Sequence, residues 1–248
     1  MTTSPIDPNR VLLTGENPYI RLSETDGGPT TTDASFWRIL FSPGGPGHVL
    51  FLQSELTGDQ PRVYTDNIQM TRWLQGEIQG RINAIFGDLE IPAREASFLS
   101  SGDLRSSWTE SMISRDEEIS LTWYDLGEPF LSHRLPGGNP ERPHGVATVL
   151  IPADGARLTV NGQFAKGRPF PRQRDGRTHS TCALAFSESW LLPYEKKSPN
   201  LAAATCVGCF LGDERPRISH TQDGGRPTWR FQTRRSRAGI VVQPSFSR

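Results

Sequence analysis

An aspartate and a histidine stand where the alternation of two predicted strands calls for apolar residues. In EEISLTWYDLGEPFLSHRLP, residues 117–136, Asp125 belongs to the first strand and His133 to the second. If residues 127–129 form a three-residue hairpin loop, Asp125 and His133 become diagonal neighbours on one face. Their Cβ atoms would then be roughly 7 Å apart, within reach of a side-chain hydrogen bond. A histidine oriented by an aspartate in this way is a candidate acid–base group.

The preceding predicted strand adds a second carboxylate to this face. A four-residue turn at 115–118 pairs Glu110 with Trp123 and Trp108 with Asp125. A carboxylate among tryptophans loses hydration, so its pKa rises toward neutrality and it can act as a general acid or base. The face therefore combines aromatic surface with groups that can transfer protons.

A later segment, 182–190, repeats the pattern, with one carboxylate in an apolar row. In a curled sheet these groups point into a shared interior. The predicted catalytic residues are His133, Asp125 and Glu110, and the predicted substrate-binding residues are Trp108, Trp123 and Glu188. Two plainer interpretations stay open: the polar groups are solvated at strand ends, and the tryptophans belong to the core.

The elements that position these residues are mostly strands. The period-two segments are 36–41, 48–53, 106–113, 119–126, 130–135, 145–151, 156–164 and 181–192. One helix is predicted over 68–86, because apolar residues recur there every three or four positions after an Asp66-Asn67 cap.

Strands in sequence with short connections predict a mainly β fold, an antiparallel meander closing as a barrel or a strongly curled sheet. The 24 glycines and 20 prolines suit many tight turns. The architecture resembles lipocalin-type barrels in topology alone, and no lipocalin site residue carries over.

The charge distribution divides the chain into two regions. Residues 195–248 contain ten Lys/Arg and four Asp/Glu, and they lack periodicity. We therefore predict a β-barrel domain over 1–194 and a loosely ordered basic extension over 195–248.

Composition narrows the partners. Lys+Arg and Asp+Glu both number 27, so net charge does not favour nucleic acid or an acidic membrane. No apolar run is long enough to span a membrane, and the N-terminus does not resemble a secretory signal. Three cysteines do not build a disulfide framework, which favours a reducing, cytoplasmic location. We expect neither a metal nor a cofactor, since metal-ligand spacings and phosphate loops are missing. A homo-oligomer stays open.

Three functions are compatible with this pattern. The first is a cofactor-independent enzyme (a lyase, hydratase, isomerase or ring hydrolase) that moves protons on a small hydrophobic or aromatic substrate inside the barrel. The second is a non-catalytic carrier of a small apolar ligand, which needs the same barrel without a reactive pair. The third is an interaction module that works through the basic extension.

Overall fold

The structure is a computed structural model that describes residues 10–174 and 176–193. The predicted extension at 195–248 therefore lies outside the described residues. The strands are β1 (Val11–Glu16), β2 (Tyr19–Ser23), β3 (Thr30–Phe41), β4 (Gly47–Ser54), β5 (Arg62–Thr65), β6 (Ala93–Asp103), β7 (Ser107–Ser114), β8 (Glu118–Leu126), β9 (Phe130–Arg134), β10 (Gly145–Val160), β11 (Gln163–Phe164), β12 (Pro171–Arg174), β13 (Arg177–Ser180) and β14 (Ala183–Leu191).

The strands form a closed mixed barrel, which confirms the mainly β prediction. Nine positions close the ring in the order β2, β3, β4, β5, β6, β7, β8, β10 and β14, and β14 pairs with β2. Strand β1 lies between β14 and β3, as β2 does, and pairs with both of these strands. The lipocalin resemblance is not confirmed, because lipocalins are antiparallel barrels of eight strands.

One neighbouring pair of strands is parallel, so the barrel is not a pure antiparallel meander. Residues 63–65 of β5 pair in parallel with residues 93–95 of β6. The chain between these strands contains the helix, and a parallel pair requires a crossover of this kind. The crossover that contains the helix therefore lets β6 run in the same direction as β5.

Apolar side chains fill the middle of the barrel. Phe36, Tyr64 and Trp123 are each at most 1 % exposed, and they belong to one cluster drawn from nearly every strand of the ring. Trp123 also donates its indole N–H to the backbone oxygen of Tyr19 at 3.0 Å. The predicted inward face of β8 is thus confirmed, and Trp123 belongs to the packed core.

Helix α1 lies on the outer surface of the barrel and confirms the predicted amphipathic helix. It runs over 68–82, with α-helical ends, Ile68–Leu74 and Gly80–Ile82, around a π-helical turn at Gln75–Gln79. Its buried face packs on outward residues of β3, β4 and β14. It ends four residues before the predicted end, because Asn83 is extended (φ −144°) and caps a short 3₁₀ turn instead. No described helix has the length and apolar character needed to cross a membrane.

Residues 145–160 form one strand, where the sequence predicts two strands separated by Pro152 and Gly155. The first half of β10 pairs with β14, and the second half pairs with β8. Pro152 lies where the partner changes, a position at which the missing N–H is tolerated. At Gly155 a Cβ atom would lie 2.1 Å from the ring of Tyr124, so this glycine admits the neighbouring aromatic side chain. Neither residue breaks the strand.

His144 connects the helix to the barrel. Its Nε2 lies 2.9 Å from Oε1 of Glu77, and its ring contacts Trp190 edge-on at 6.2 Å. The side chain is buried, and this burial lowers its pKa below 6.5, against the effect of Glu77 and together with the positive charges of Arg81 and Arg134. The unfolded chain therefore binds the proton more readily than the folded protein in the interval just below pH 6.5.

We therefore expect the stability of the protein to fall as the pH drops below about 6.5, in part through this residue. The measurement is urea unfolding at about pH 7.5 and about pH 5.5 for the wild type, His144→Gln and His133→Gln. His144→Gln should reduce the difference between the two pH values. His133→Gln, which changes an exposed histidine, should leave it as in the wild type. Equal pH dependence in all three proteins would contradict the assignment.

Candidate functional site

The structure does not bring Asp125 and His133 together, so the predicted dyad is wrong. Strands β8 and β9 both run antiparallel to β10, with Leu126 opposite Ala153 and Phe130 opposite Leu150. The chain therefore continues in one direction through residues 127–129 instead of reversing. Asp125 and His133 are eight positions apart along this line, roughly 26 Å at normal strand rise.

The hairpin fails because β10 is long enough to pair with both segments. The N–H of Gly127 donates to the carbonyl of Pro152 at 2.8 Å, so the connecting residues keep a backbone partner without a turn. Asp125 adopts a left-handed conformation (φ 52°). Both Asp125 and His133 are solvent-exposed. They are polar residues on the outside of the molecule.

Glu110 does face the interior, as the alternation predicts. Its side chain is 1 % exposed, and both of its oxygens are engaged. Ser100 Oγ donates to Oε2 at 2.6 Å, and the indole N–H of Trp108 donates to Oε1 at 2.7 Å. The register differs from the predicted one by two residues, since Glu110 lies opposite Leu121 and Trp108 opposite Trp123. A shift of two keeps every side chain on its face, so the inward orientation is confirmed.

Glu188 lies on the other side of the barrel wall. Ser187 has a left-handed conformation (φ 52°), and the pairing of β14 with β10 shifts at this point. Beyond the shift, Trp190 belongs to the cluster under the helix, and its indole N–H donates to Glu188 Oε1 at 2.6 Å. The prediction that 182–190 presents one face to the interior is therefore wrong. Glu188 does not share a pocket with Glu110.

Near Glu110 the barrel carries an ion pair. Arg38 Nη2 donates to both carboxylate oxygens of Glu16 at 2.6 Å, and the charges of Arg38 and Glu16 both act on Glu110. Arg38 lies opposite His48 in the β3–β4 pairing. We call the end of the barrel that contains Glu16, Arg38, His48 and Glu110 the barrel mouth.

An Asp–His pair that the sequence did not reveal occupies the barrel mouth. His48 Nδ1 lies 2.6 Å from Asp66 Oδ2, and the backbone N–H of His48 donates to Asp66 Oδ1 at 2.6 Å. A carboxylate accepts the Nδ1 proton, so Nε2 is the free, basic nitrogen of the neutral ring. Within the described residues Nε2 makes no hydrogen bond, and about a third of the side chain is exposed.

An aromatic ring holds the imidazole in place. The rings of His48 and Phe98 are stacked at 5.3 Å with an interplanar angle of 20°. This contact exists because β5 ends at Thr65, so beyond that point the side chains of β4 and β6 meet directly. Phe98 and Ser100 lie two positions apart on β6. The stacked histidine and the hydrogen-bonded glutamate are therefore held by the same strand.

Two glycines approach the start of the helix closely and so bring Asp66 to His48. A Cβ atom on Gly44 would lie 2.7 Å from Cα of Met70, and one on Gly47 would lie 2.8 Å from Cβ of Asn67. The glycine-rich turn between β3 and β4 therefore packs directly against the start of the helix. Asn67 Nδ2 also donates to the carbonyl of Pro46 at 2.8 Å.

A groove opens over this pair. It is shallow and largely open to solvent, with a volume of about 680 Å³. We call it the rim groove, and its lining consists of Arg38, Ile39, Leu40, Pro46, Gly47, His48, Asp66, Asn67 and Ile68. Leu40 and Ile68 are 66 % and 53 % exposed, so the outer part of the groove is apolar. The four polar side chains of the lining, Arg38, His48, Asp66 and Asn67, lie in its inner part.

Burial has the largest effect on the pKa of Glu110. Loss of hydration raises its pKa above 4.5, against the opposing effects of Ser100, Trp108 and the Arg38 charge. The folded protein therefore holds the Glu110 proton at pH values where the unfolded chain has released it, and ionisation costs stability as the pH rises above about 4.5.

Glu110→Gln removes this ionisation, and a glutamine amide can keep both hydrogen bonds once the Ser100 hydroxyl reorients. We expect the variant to match the wild type near pH 4.5 and to be the more stable of the two at neutral pH. Thermal unfolding across this interval measures the difference. A variant less stable than the wild type at neutral pH would show that Glu110 is ionised in the folded protein.

Within residues 10–174 and 176–193, no group of three or more His, Cys, Asp or Glu side chains is arranged to hold a metal ion. Of the three cysteines of the chain, Cys206 and Cys209 lie outside the described residues. The expectation of no metal and no cofactor stays a prediction. No protein-family model, curated protein or solved structure matches the chain.

Proposed function

We propose that the protein is an acid–base enzyme that moves protons on a small hydrophobic or aromatic substrate bound in the rim groove. The observation that carries this proposal is the His48–Asp66 pair: Nε2 of His48 makes no hydrogen bond to any of the described residues, and Phe98 stacks against the ring. The barrel interior below is packed, so the mouth is where a substrate meets these groups. The reaction belongs to the isomerase, lyase or hydratase class and needs no cofactor in this scheme.

Each residue has a distinct role in the proposed step. Nε2 of His48 takes a proton from a carbon next to a carbonyl group, and the electron pair of that C–H bond moves onto the carbonyl oxygen. Arg38 stabilises the negative charge that develops there. Asp66 fixes the tautomer and stabilises the imidazolium ion that forms. His48 then returns the proton to another position, or a leaving group departs.

Glu110 acts through Arg38. At 1 % exposure it does not touch a molecule in the groove. Glu16 pairs directly with the guanidinium, whereas burial raises the pKa of Glu110 and so disfavours a second negative charge beside Arg38. Trp108 and Ser100 hold Glu110 in this position. Glu110 and Trp108 are thus positioning residues in this proposal, and the substrate contacts fall to the groove lining.

The experiment is proton exchange on 2-tetralone, a small aromatic ketone with acidic C–H groups beside its carbonyl. The full chain is incubated with this ketone in D₂O, and proton NMR follows the loss of the α-protons against buffer without protein. Faster exchange with protein, lost in His48→Asn, supports the enzyme. Binding in the groove with exchange at the buffer rate contradicts it and favours the non-catalytic carrier. The interaction module stays a prediction, because residues 195–248 lie outside the described residues.

A further inference from the structure

The charges around the rim groove define the class of molecule it takes, given the proposed function on which this inference rests. We infer that the groove selects an uncharged, apolar molecule with a single carbonyl oxygen, and that it discriminates against both carboxylates and amines of the same shape. The two ion pairs at the barrel mouth and the apolar outer lining carry this inference.

Anions are disfavoured because the groove has no surplus positive charge. Arg38 is already engaged by Glu16 through both carboxylate oxygens. Asp66 accompanies His48, so protonation of the imidazole balances that carboxylate and adds no net positive charge. With a neutral imidazole the four groups together are negative. In either state a second carboxylate would be repelled or would have to displace Glu16 from Arg38.

Cations are disfavoured because the carboxylates already have partners. Asp66 accepts the backbone N–H and lies against Nδ1 of His48, and Glu16 accepts from Arg38. An ammonium group would lose its hydration among Leu40, Ile68 and other apolar residues, and a single hydrogen bond to Nε2 of His48 would not replace that hydration. It would also approach the positive guanidinium of Arg38, which lines the groove.

A carbonyl group meets neither obstacle. The Arg38 side chain lines the groove and is about one third exposed, so part of its guanidinium is accessible to a bound molecule. A carbonyl oxygen accepts from a guanidinium without bringing a charge that needs neutralising. The hydrocarbon part of such a molecule can cover Leu40 and Ile68, which are 66 % and 53 % exposed.

Four probes that share one ring system test this inference: 2-tetralone, tetralin, tetralin-2-carboxylate and protonated 2-aminotetralin. Each is titrated into the full-length ¹⁵N-labelled protein, and amide shifts at His48 and Ile68 report binding in the groove. We expect 2-tetralone to bind several-fold tighter than tetralin, as one net hydrogen bond provides. It should bind at least about tenfold tighter than the carboxylate or the amine. Equal or tighter binding of either charged probe, or binding of none of the four at the groove, would overturn the inference.

A matched pair of variants checks the location. Ile68→Ser removes apolar surface from the groove, and Ile113→Ser makes the same change at a residue of β7 that is 56 % exposed and does not line the groove. Ile68→Ser should weaken the binding of 2-tetralone severalfold, and Ile113→Ser should not. Equal effects of the two substitutions would show that the ketone does not bind in the rim groove. The proposed function is judged separately. Selective binding of 2-tetralone without proton exchange would contradict the proposed enzyme and support the inferred selectivity. Proton exchange that depends on His48, together with tight binding of a charged probe, would support the enzyme and contradict the selectivity.

Discussion

Replacing His48 by asparagine should lower the rate of proton exchange on 2-tetralone by about two to four orders of magnitude, the usual loss on removing a general base. The asparagine amide can still reach Asp66, so the contact between β4 and the start of the helix is kept while the free Nε2 is lost. His48 is about one third exposed, and the variant should therefore fold. The rate constant, measured at saturating ketone by the same NMR exchange experiment, gives the effect.

Asp66→Asn should cause a loss of similar order by a different route. An asparagine amide would donate to Nδ1, which forces the ring into the tautomer with its proton on Nε2 and removes the base. The double variant should be little worse than either single one, because the two residues act as a unit. If the loss in rate of the double variant equals the product of the two single losses, the residues do not act as a unit.

The exposed pair Asp125 and His133 provides the matched controls. His133→Asn and Asp125→Asn make the same chemical changes at residues that do not line the groove, and asparagine tolerates the left-handed conformation of position 125. Both variants should exchange protons at the wild-type rate. If they lose activity while His48→Asn keeps it, the barrel mouth is not the active site.

Replacing Ile78 by aspartate should destabilise the protein by about 4 kcal/mol or more, a large share of the stability of a typical domain. Ile78 is 0 % exposed and packs in the cluster between helix α1 and the barrel. The substitution removes buried apolar volume and also places a charge in a buried apolar cluster. Urea unfolding monitored by circular dichroism measures the change.

Ile68→Asp is the control on the same helix. Ile68 is 53 % exposed and is the first helical residue, where a negative charge interacts favourably with the helix dipole. We expect its free energy of unfolding to stay within about 0.5 kcal/mol of the wild type. Similar losses in both variants would show that the helix tolerates no charge anywhere. No loss in Ile78→Asp would mean that the helix is not packed on the barrel.

Local periodicity was sufficient for the elements whose burial is regular. The apolar spacing over 68–86 predicts helix α1, because one face of a helix returns every three to four residues. Alternation along β7 and β8 predicts that Trp108, Glu110 and Trp123 face inward, since a register error of two residues leaves the face unchanged. Strand β6 was missed, because its sequence AREASFLSSGD exposes most of its residues and carries no strong apolar alternation.

The choice of partner strands needed the tertiary structure. A Gly-Glu-Pro sequence is compatible with a hairpin loop and also with a bend between two strand segments that run in the same direction. Only the length of β10, which pairs with both segments, decides between them. In the same way, Pro152 and Gly155 signal a break locally. They are accommodated because the partner of β10 changes at the first and a tyrosine ring covers the second.

The residue types needed for an Asp–His pair were visible in the sequence, but their partners were not. A short local turn predicts a pair of Asp125 and His133, whereas His48 and Asp66 meet across 18 residues, at a place where β5 ends and the β3–β4 turn packs on the helix. Sequence periodicity does not predict such a contact, because the contact depends on where one strand ends relative to another. The sequence determined which chemical groups face inward along each regular strand, and closure of the barrel decided which of them share a site.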